Sequence, residues 1–221
     1  MQGSIRWVVI AGLLSACQPG DIGPQDDDAA VGDSGLRVEW SSSPDMWPSN
    51  TNGVRLEKAR FALDNLRVIG DAGPGDPRTS TTGIDLRWDK DVAPGEIMFD
   101  DAPTGLYSQV ALTLDGHTTT ESFRIEGKVD VGAQNYDFKI EADTPLPFNV
   151  GVNTMVSPGD IATISLRVNF MHALDSIDWA TVDISDGNKE LDDSDPQMAM
   201  FRLKLVESFE ITNGGKPGGA L

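Results

Sequence analysis

The chain has 221 residues, 39% of them hydrophobic, and sets 35 acidic side chains against 17 basic ones for a formal charge of −18. A chain this acidic repels nucleic acid and anionic lipid head groups, so neither is expected as a partner. One cysteine excludes a disulfide within the chain, and a hydrophobic core alone has to hold the fold.

That cysteine ends Leu14-Ser15-Ala16-Cys17, which has the spacing of a lipobox. Met1 and Arg6 supply a positive start, and Trp7 to Leu14 an apolar stretch that ends at the small residues of a cleavage site. The stretch is too short to cross a bilayer, which takes roughly 20 residues as a helix. Residues 1–16 therefore read as a lipoprotein signal peptide, and Cys17 as a lipidated mature N-terminus anchored to a membrane. Gln18 stands where an aspartate would retain the protein at an inner membrane, which points to the outer membrane of a bacterial envelope. Residues 17–35 hold five aspartates and no basic residue, the composition of a disordered, extended acidic tether. Its Asp26-Asp27-Asp28 run reads as a solvated spacer rather than a calcium site.

Residues 36–211 read as one β-sandwich domain and residues 212–221 as a Gly-rich tail. Leu36 to Trp40 alternates as a first strand, and Ser41 to Gly53 is loop by composition. Val54 to Ile69 fits an amphipathic helix through Leu56, Ala59, Leu63 and Leu66. It also fits a long strand whose phase slips at bulges as it bends between two sheets. Ile84 to Trp88 and Glu96 to Phe99 are short strands. In Leu106 to Leu114, Leu106, Val110, Leu112 and Leu114 share one face, and Tyr107, Gln109 and Thr113 the other.

Phe123 to Ala142 carries the clearest pattern. Two alternating runs flank Gly132-Ala133, which suits a two-residue type II′ turn. Closing the turn there sets Val131 against Gln134, Lys128 against Asp137, Glu126 against Lys139 and Arg124 against Glu141, with Ile125 meeting Ile140 inside. Pro145 to Val150 is an edge strand, because its prolines cannot serve a central one. Ile161 to Phe170 alternates with Ala162, Ile164, Leu166, Val168 and Phe170 inward. Met171 to Trp179 makes a helical turn, and Asp183 to Asp195 an acidic loop. Asp195-Pro196 resembles an N-cap with proline at N1, opening a helix to about Ser208 that buries Met198, Phe201, Leu205 and Phe209. Phe201 to Ile211 fits a strand as well.

Catalytic signatures are lacking. There is no Gly-x-Ser-x-Gly elbow or phosphate loop, and His117 and His172 are the two possible imidazole bases. The reading is a packed or surface role for His172 and a turn for His117. No His-x-x-x-His or Cys-x-x-Cys spacing offers a zinc site. The best candidates for a metal are Asp183, Asp186, Asp192, Asp193 and Asp195, since calcium takes clustered carboxylates, although Gly187 falls out of register for an EF-hand. Asp100 and Asp101 are adjacent, and on a strand they would point to opposite faces rather than form an acid/base pair. Trp40, Trp47, Trp88 and Trp179 would make a sugar platform if two lay on one exposed face; burial at the sandwich edge is the commoner outcome.

The lipobox, the acidic tether, the segment Ala59 to Ile69, and Ala102-Pro103-Thr104-Gly105-Leu106-Tyr107 before Gln109 to Leu112 resemble uncharacterised bacterial lipoproteins with transthyretin-like or immunoglobulin-like β-sandwiches. Thr104 replaces an alanine of their turn. The resemblance implies strand for Val54 to Ile69 and an envelope location, and carries no established activity. A fainter similarity is to periplasmic methanobactin-associated copper proteins, whose ligand residues have no clear counterpart here, so copper is not carried over. The expected fold is mainly β, an antiparallel β-sandwich with a short C-terminal helix. The expected function is a non-catalytic binding or structural module with a protein or glycan partner. The alternative is a metal-handling lipoprotein for calcium or copper, and the third an enzyme of unknown class.

Overall fold

A computed structural model of the chain describes residues 34–71, 76–116 and 121–213. Cys17, Asp26 to Asp28 and His117 lie outside the described residues, as does the tail beyond Asn213. The described elements run β1 (Gly35–Ser43), β2 (Ser49–Thr51), β3 (Val54–Gly70), β4 (Ser80–Thr81), β5 (Ile84–Trp88), β6 (Ile97–Asp100), β7 (Gly105–Leu114) and β8 (Phe123–Val131). They continue with β9 (Gln134–Ala142), β10 (Leu146–Val156), β11 (Ile161–Asn169), α1 (Phe170–Leu174), β12 (Ile184–Ser185), β13 (Asn188–Leu191), α2 (Met198–Glu207) and β14 (Phe209–Asn213). One sheet has the order β14-β11-β1-β6, and the other follows β10-β7-β3-β8-β9-β13-β12, with β2, β4 and β5 also on β3. The fold is mainly β, a two-sheet sandwich with a short helix near its C-terminal end.

Val54 to Gly70 is strand, and it is the axis of the larger sheet. Phe61 pairs with both Leu86 and Phe123, and Leu63 with both Ile84 and Leu114. A strand residue has one neighbour per edge, so β8 and β7 lie end to end along one edge of β3, with β2, β5 and β4 along the other. The ladder slips between Leu56 and Lys58, and again between Leu63 and Asn65. Those bulges are the phase breaks visible in the sequence. The strand does not pass into the second sheet as expected; it stays in one and changes neighbour near Ala62.

The β8–β9 register matches the sequence pattern pair by pair, from Val131↔Gln134 through Lys128↔Asp137 to Arg124↔Glu141. Gly132 sits at φ 63° while Ala133 keeps a negative φ, the signs of a type II′ turn. The charges share partners more widely than strict pairing implies. Lys128 bonds Asp137, Arg124 closes on Glu126 of its own strand and also reaches Glu141 at 3.9 Å, and Lys139 bonds Glu141 at 3.0 Å and Glu190 at 3.7 Å. Gly127 stands at an inward position of β8, where a Cβ would fall 2.1 Å from the Arg55 carbonyl oxygen and 2.8 Å from the Phe138 ring. Only a glycine lets Phe138 lie across the β3 bulge.

Several expectations are corrected. Strands β1 and β11 are parallel, as are β13 and β9, so the sandwich is not wholly antiparallel. The face of β7 changes phase at its start: Tyr107 is buried and Leu106 partly exposed, because the ladders to β3 and β10 both shift there. The Tyr107 hydroxyl donates to the Pro103 carbonyl at 2.8 Å and fastens the turn that leads into β7. The acidic stretch is partly a hairpin. Asp186 at φ 49° and Gly187 at φ 87° make the tight turn between β12 and β13. Helix α2 starts at Met198 rather than at Pro196, and the chain continues as β14 to Asn213, past the expected start of the tail at 212. Gly35, assigned to the tether, already belongs to β1.

One apolar cluster fills the space between the sheets. Leu36, Val38 and Trp40 of β1 and Ile164, Leu166 and Val168 of β11 face Leu56, Phe61, Leu63 and Leu66 of β3 within it. Phe170, first residue of α1, closes one end: its ring lies 5.6 Å from Phe61, 5.4 Å from Trp88 and 5.3 Å from Trp47.

Candidate binding groove

The acidic candidates for a metal do not converge. Asp183 and Asp186 are exposed beside and within the β12–β13 turn. The Asp192 carboxylate accepts from the Ser194 hydroxyl at 2.6 Å and amide at 2.8 Å, and these bonds hold its pKa below the usual value. Asp195 accepts from the Gln197 amide at 2.7 Å just ahead of α2. Asp193 is a clamp: its Oδ2 receives the Asp143 and Thr144 amides at 2.9 Å each and the Thr144 hydroxyl at 2.8 Å, and its Oδ1 receives Arg202 at 2.8 Å. Arg202 also donates to the carbonyls of Thr144 and Pro145, both at 2.9 Å, so one ion pair ties α2 to the start of β10. Partial burial works against the Asp193 charge, but the Thr144 and Asp143 donors and Arg202 outweigh it and lower the pKa. Among the described residues no group of three or more His, Cys, Asp or Glu is placed to hold a metal ion.

The remaining candidates also fall apart. His172 is exposed on α1, its Nε2 3.3 Å from Glu207, which Lys204 and then His172 hold below the usual carboxylate range. Asp100 ends β6 and Asp101 sits in a turn at φ 60°, so the two do not share a strand.

Tryptophan proves the informative residue type. Trp179 packs on Phe138, 4.8 Å away, in another part of the molecule. Trp40, Trp47 and Trp88 come together and line one groove of about 610 Å³. Its first wall is the end of β1 and the following segment, Trp40 to Ser42 and Asp45 to Trp47. Its second wall is Trp88 to Ala93, the chain between β5 and β6.

Local hydrogen bonds fix both walls. The Trp47 indole donates to the Ser42 hydroxyl at 3.0 Å, and that hydroxyl donates to the Pro44 carbonyl at 2.6 Å. Opposite, the Asp89 carboxylate accepts the Asp91 and Val92 amides at 2.8 and 2.9 Å, an Asx turn that sets Asp91 and Val92 at the rim. Met46 is 75% exposed and Val92 46%, two large apolar side chains in water on either side of one groove. Trp40 and Trp88 are only 8% and 3% exposed and form a floor rather than open stacking faces, while Trp47 is partly exposed. The indole N–H of Trp40 is buried with no hydrogen-bond partner. Asp45, Asp89 and Asp91 against the single Lys90 make the lining acidic.

A second groove, of about 510 Å³ on the outer face of the larger sheet, is lined by Lys58, Arg60, Arg87 and Arg124. These cations are committed to carboxylates: Arg60 to Asp85 at 2.8 Å and Glu121 at 3.5 Å, Arg87 to Asp85, Arg124 to Glu126, and Lys58 to Glu126 at 3.7 Å. It is a salt-bridged sheet face and offers no free anion site.

Sequence reasoning named the three tryptophans of the first groove without placing them together, and it missed Met46 and the Asp89 turn. The available signal was an apolar Met46-Trp47 pair inside a segment otherwise polar enough to be loop. No helix among the described residues is long and apolar enough to cross a membrane. No family model matches the chain, and no curated protein or solved structure matches it either.

Proposed function

We propose that the chain is a lipid-anchored protein of the bacterial cell envelope, tied to the outer membrane through Cys17, whose β-sandwich is a non-catalytic binding module. The observation that carries this reading is the groove between the end of β1 and the Asp89–Ala93 turn. Both of its walls are held by hydrogen bonds, and two large apolar side chains stand exposed at its mouth. A preformed concave site with apolar walls and a few polar groups is the usual form of a binding pocket. The lipobox and the acidic residues after it supply the anchor and a spacer long enough to hold the module off the bilayer.

Two measurements test the reading. Expression in a Gram-negative host with an alkyne-bearing palmitate analogue labels the chain at Cys17, and Cys17→Ser abolishes both label and membrane retention. A chain retained and labelled equally after that substitution overturns the anchor. For the module, crosslinking from a photoreactive residue at position 46 captures an envelope component, and the same residue at Asp183 does not. Equal capture from both positions overturns the groove as the site.

A further inference from the structure

The groove also lies where a sheet edge has no strand partner. Strand β1 pairs with β11 along its whole length, Gly35 to Ser43, but with β6 only from Gly35 to Val38. Backbone groups of a strand turn to its two edges alternately, residue by residue. The Gly35 amide donates to the Asp160 carbonyl at 3.0 Å, on the β11 side. The odd-numbered residues of β1 therefore face β11 and the even-numbered ones face β6. Strand β6 begins at Ile97, opposite Val38. Beyond it, Trp40 and Ser42 turn their N–H and C=O groups to an edge that no described strand covers, and no other described backbone group bonds them. Both residues line the groove and are 8% exposed each, so the groove is the way by which a guest strand reaches them.

We infer that the groove takes an extended, basic segment of a partner protein as an added strand on β1, alongside Glu39 to Ser43. The inference rests on the groove being the binding site. Main-chain pairing to a free sheet edge supplies affinity, and alternate side chains of the guest supply selectivity. Charge decides the composition of the guest. Asp45, Asp89 and Asp91 outnumber Lys90 around the groove, on a chain whose formal charge is −18. An acidic strand is repelled, and that includes residues 18–33 of this chain, which hold five aspartates and no basic residue. A neutral sugar is held best between two open indole faces, and with Trp40 and Trp88 at 8% and 3% exposure only Trp47 is partly exposed. The thioether of Met46, 75% exposed and unbranched, adapts to varied apolar side chains of a guest.

The test uses the full mature chain in detergent micelles and four probes. They are an octapeptide of alternating lysine and valine with blocked ends, the same peptide N-methylated at every amide, its glutamate counterpart, and cellotetraose. Amide hydrogen exchange at Trp40 and Ser42 is the readout. The lysine peptide slows exchange at both amides at least tenfold. The N-methylated peptide carries the same charge and loses that effect, and Asp45→Asn with Asp91→Asn weakens binding at least threefold. Equal binding of the N-methylated or the glutamate peptide overturns the inference. Protection present without any peptide, and lost when residues 214–221 are removed, assigns the edge to the chain's own tail and overturns it too. If cellotetraose alone alters the groove, the strand-addition inference falls and the binding groove stands. If none of the four does, both fall.

Discussion

Replacing Asp193 by alanine tests what the acidic region is for. The substitution removes three hydrogen bonds at Oδ2 and the Arg202 ion pair at Oδ1. A hydrogen bond to a charged group contributes about 1.5–3 kcal/mol when its donor is left dry. Here the Asp193 side chain is 31% exposed, water can replace part of what is lost, and the bonds are discounted accordingly. The expected loss is about 2–3 kcal/mol, since Arg202 also loses the anchor that holds it against two carbonyls. For a domain of this size that corresponds to a fall in Tm of roughly 5–10 °C. The pH dependence has a definite sign. The folded-state pKa of Asp193 lies below the ordinary aspartate value of 3.8, so its contribution is complete above that value and is lost as pH falls through the folded pKa. Urea unfolding of the wild type and the variant therefore gives curves that differ most at pH 7 and converge below about pH 4. A difference under about 0.5 kcal/mol at pH 7, or one independent of pH, refutes the clamp. A rise in wild-type Tm with millimolar calcium that disappears in Asp193→Ala would instead make this region a metal site.

Other substitutions probe the packing behind the groove. Gly127→Ala drives a Cβ into the Arg55 carbonyl, a backbone atom that cannot rotate away, and should cost about 2–4 kcal/mol by urea unfolding, with Gly132→Ala, in open space, costing less. Phe170→Ala removes the ring that joins Trp47, Trp88 and Phe61, with an expected loss of about 3–5 kcal/mol and a red shift in tryptophan emission. Tyr107→Phe deletes the bond to Pro103 and should cost about 1 kcal/mol in chemical unfolding without changing the emission spectrum. Gly187→Ala forces alanine to φ 87° and should weaken the β12–β13 hairpin by about 1 kcal/mol, seen as faster amide exchange at Asn188, which closes the turn opposite Ser185.

What the sequence made legible was local. The β8–β9 hairpin could be read to the residue because its two alternating runs flank a glycine turn and carry opposite charges in register. The bulges of β3 appear as slips in alternation, although strand and helix patterns competed there and composition favoured helix. Contacts between distant residues left no such mark. The parallel pairing of β1 with β11 joins residues more than 120 positions apart, and the pattern of each strand is the same whichever neighbour it takes. The Asp186-Gly187 turn did carry a signal, since that dipeptide favours a tight hairpin, but the surrounding carboxylates led the stretch to be read as an acidic loop. Residue type identified Trp40, Trp47 and Trp88 as candidates. Their convergence depends on β1, the β5–β6 connection and Phe170 meeting at one end of the sandwich, which no local pattern encodes. Asp193 shows the same limit: its carboxylate finds amides fifty positions away.

The unpaired edge of β1 is the feature on which the binding account depends, and residue-resolved hydrogen exchange on the full chain tests it most directly. Arg37, Glu39 and Ser41, which face β11, and Leu36 and Val38, which face β6, are predicted to be protected together, with Trp40 and Ser42 exchanging orders of magnitude faster. Trp40 and Ser42 protected as strongly as Leu36 and Val38 would mean that the edge is already covered, and the groove would then be a closed part of the fold rather than a place for a partner.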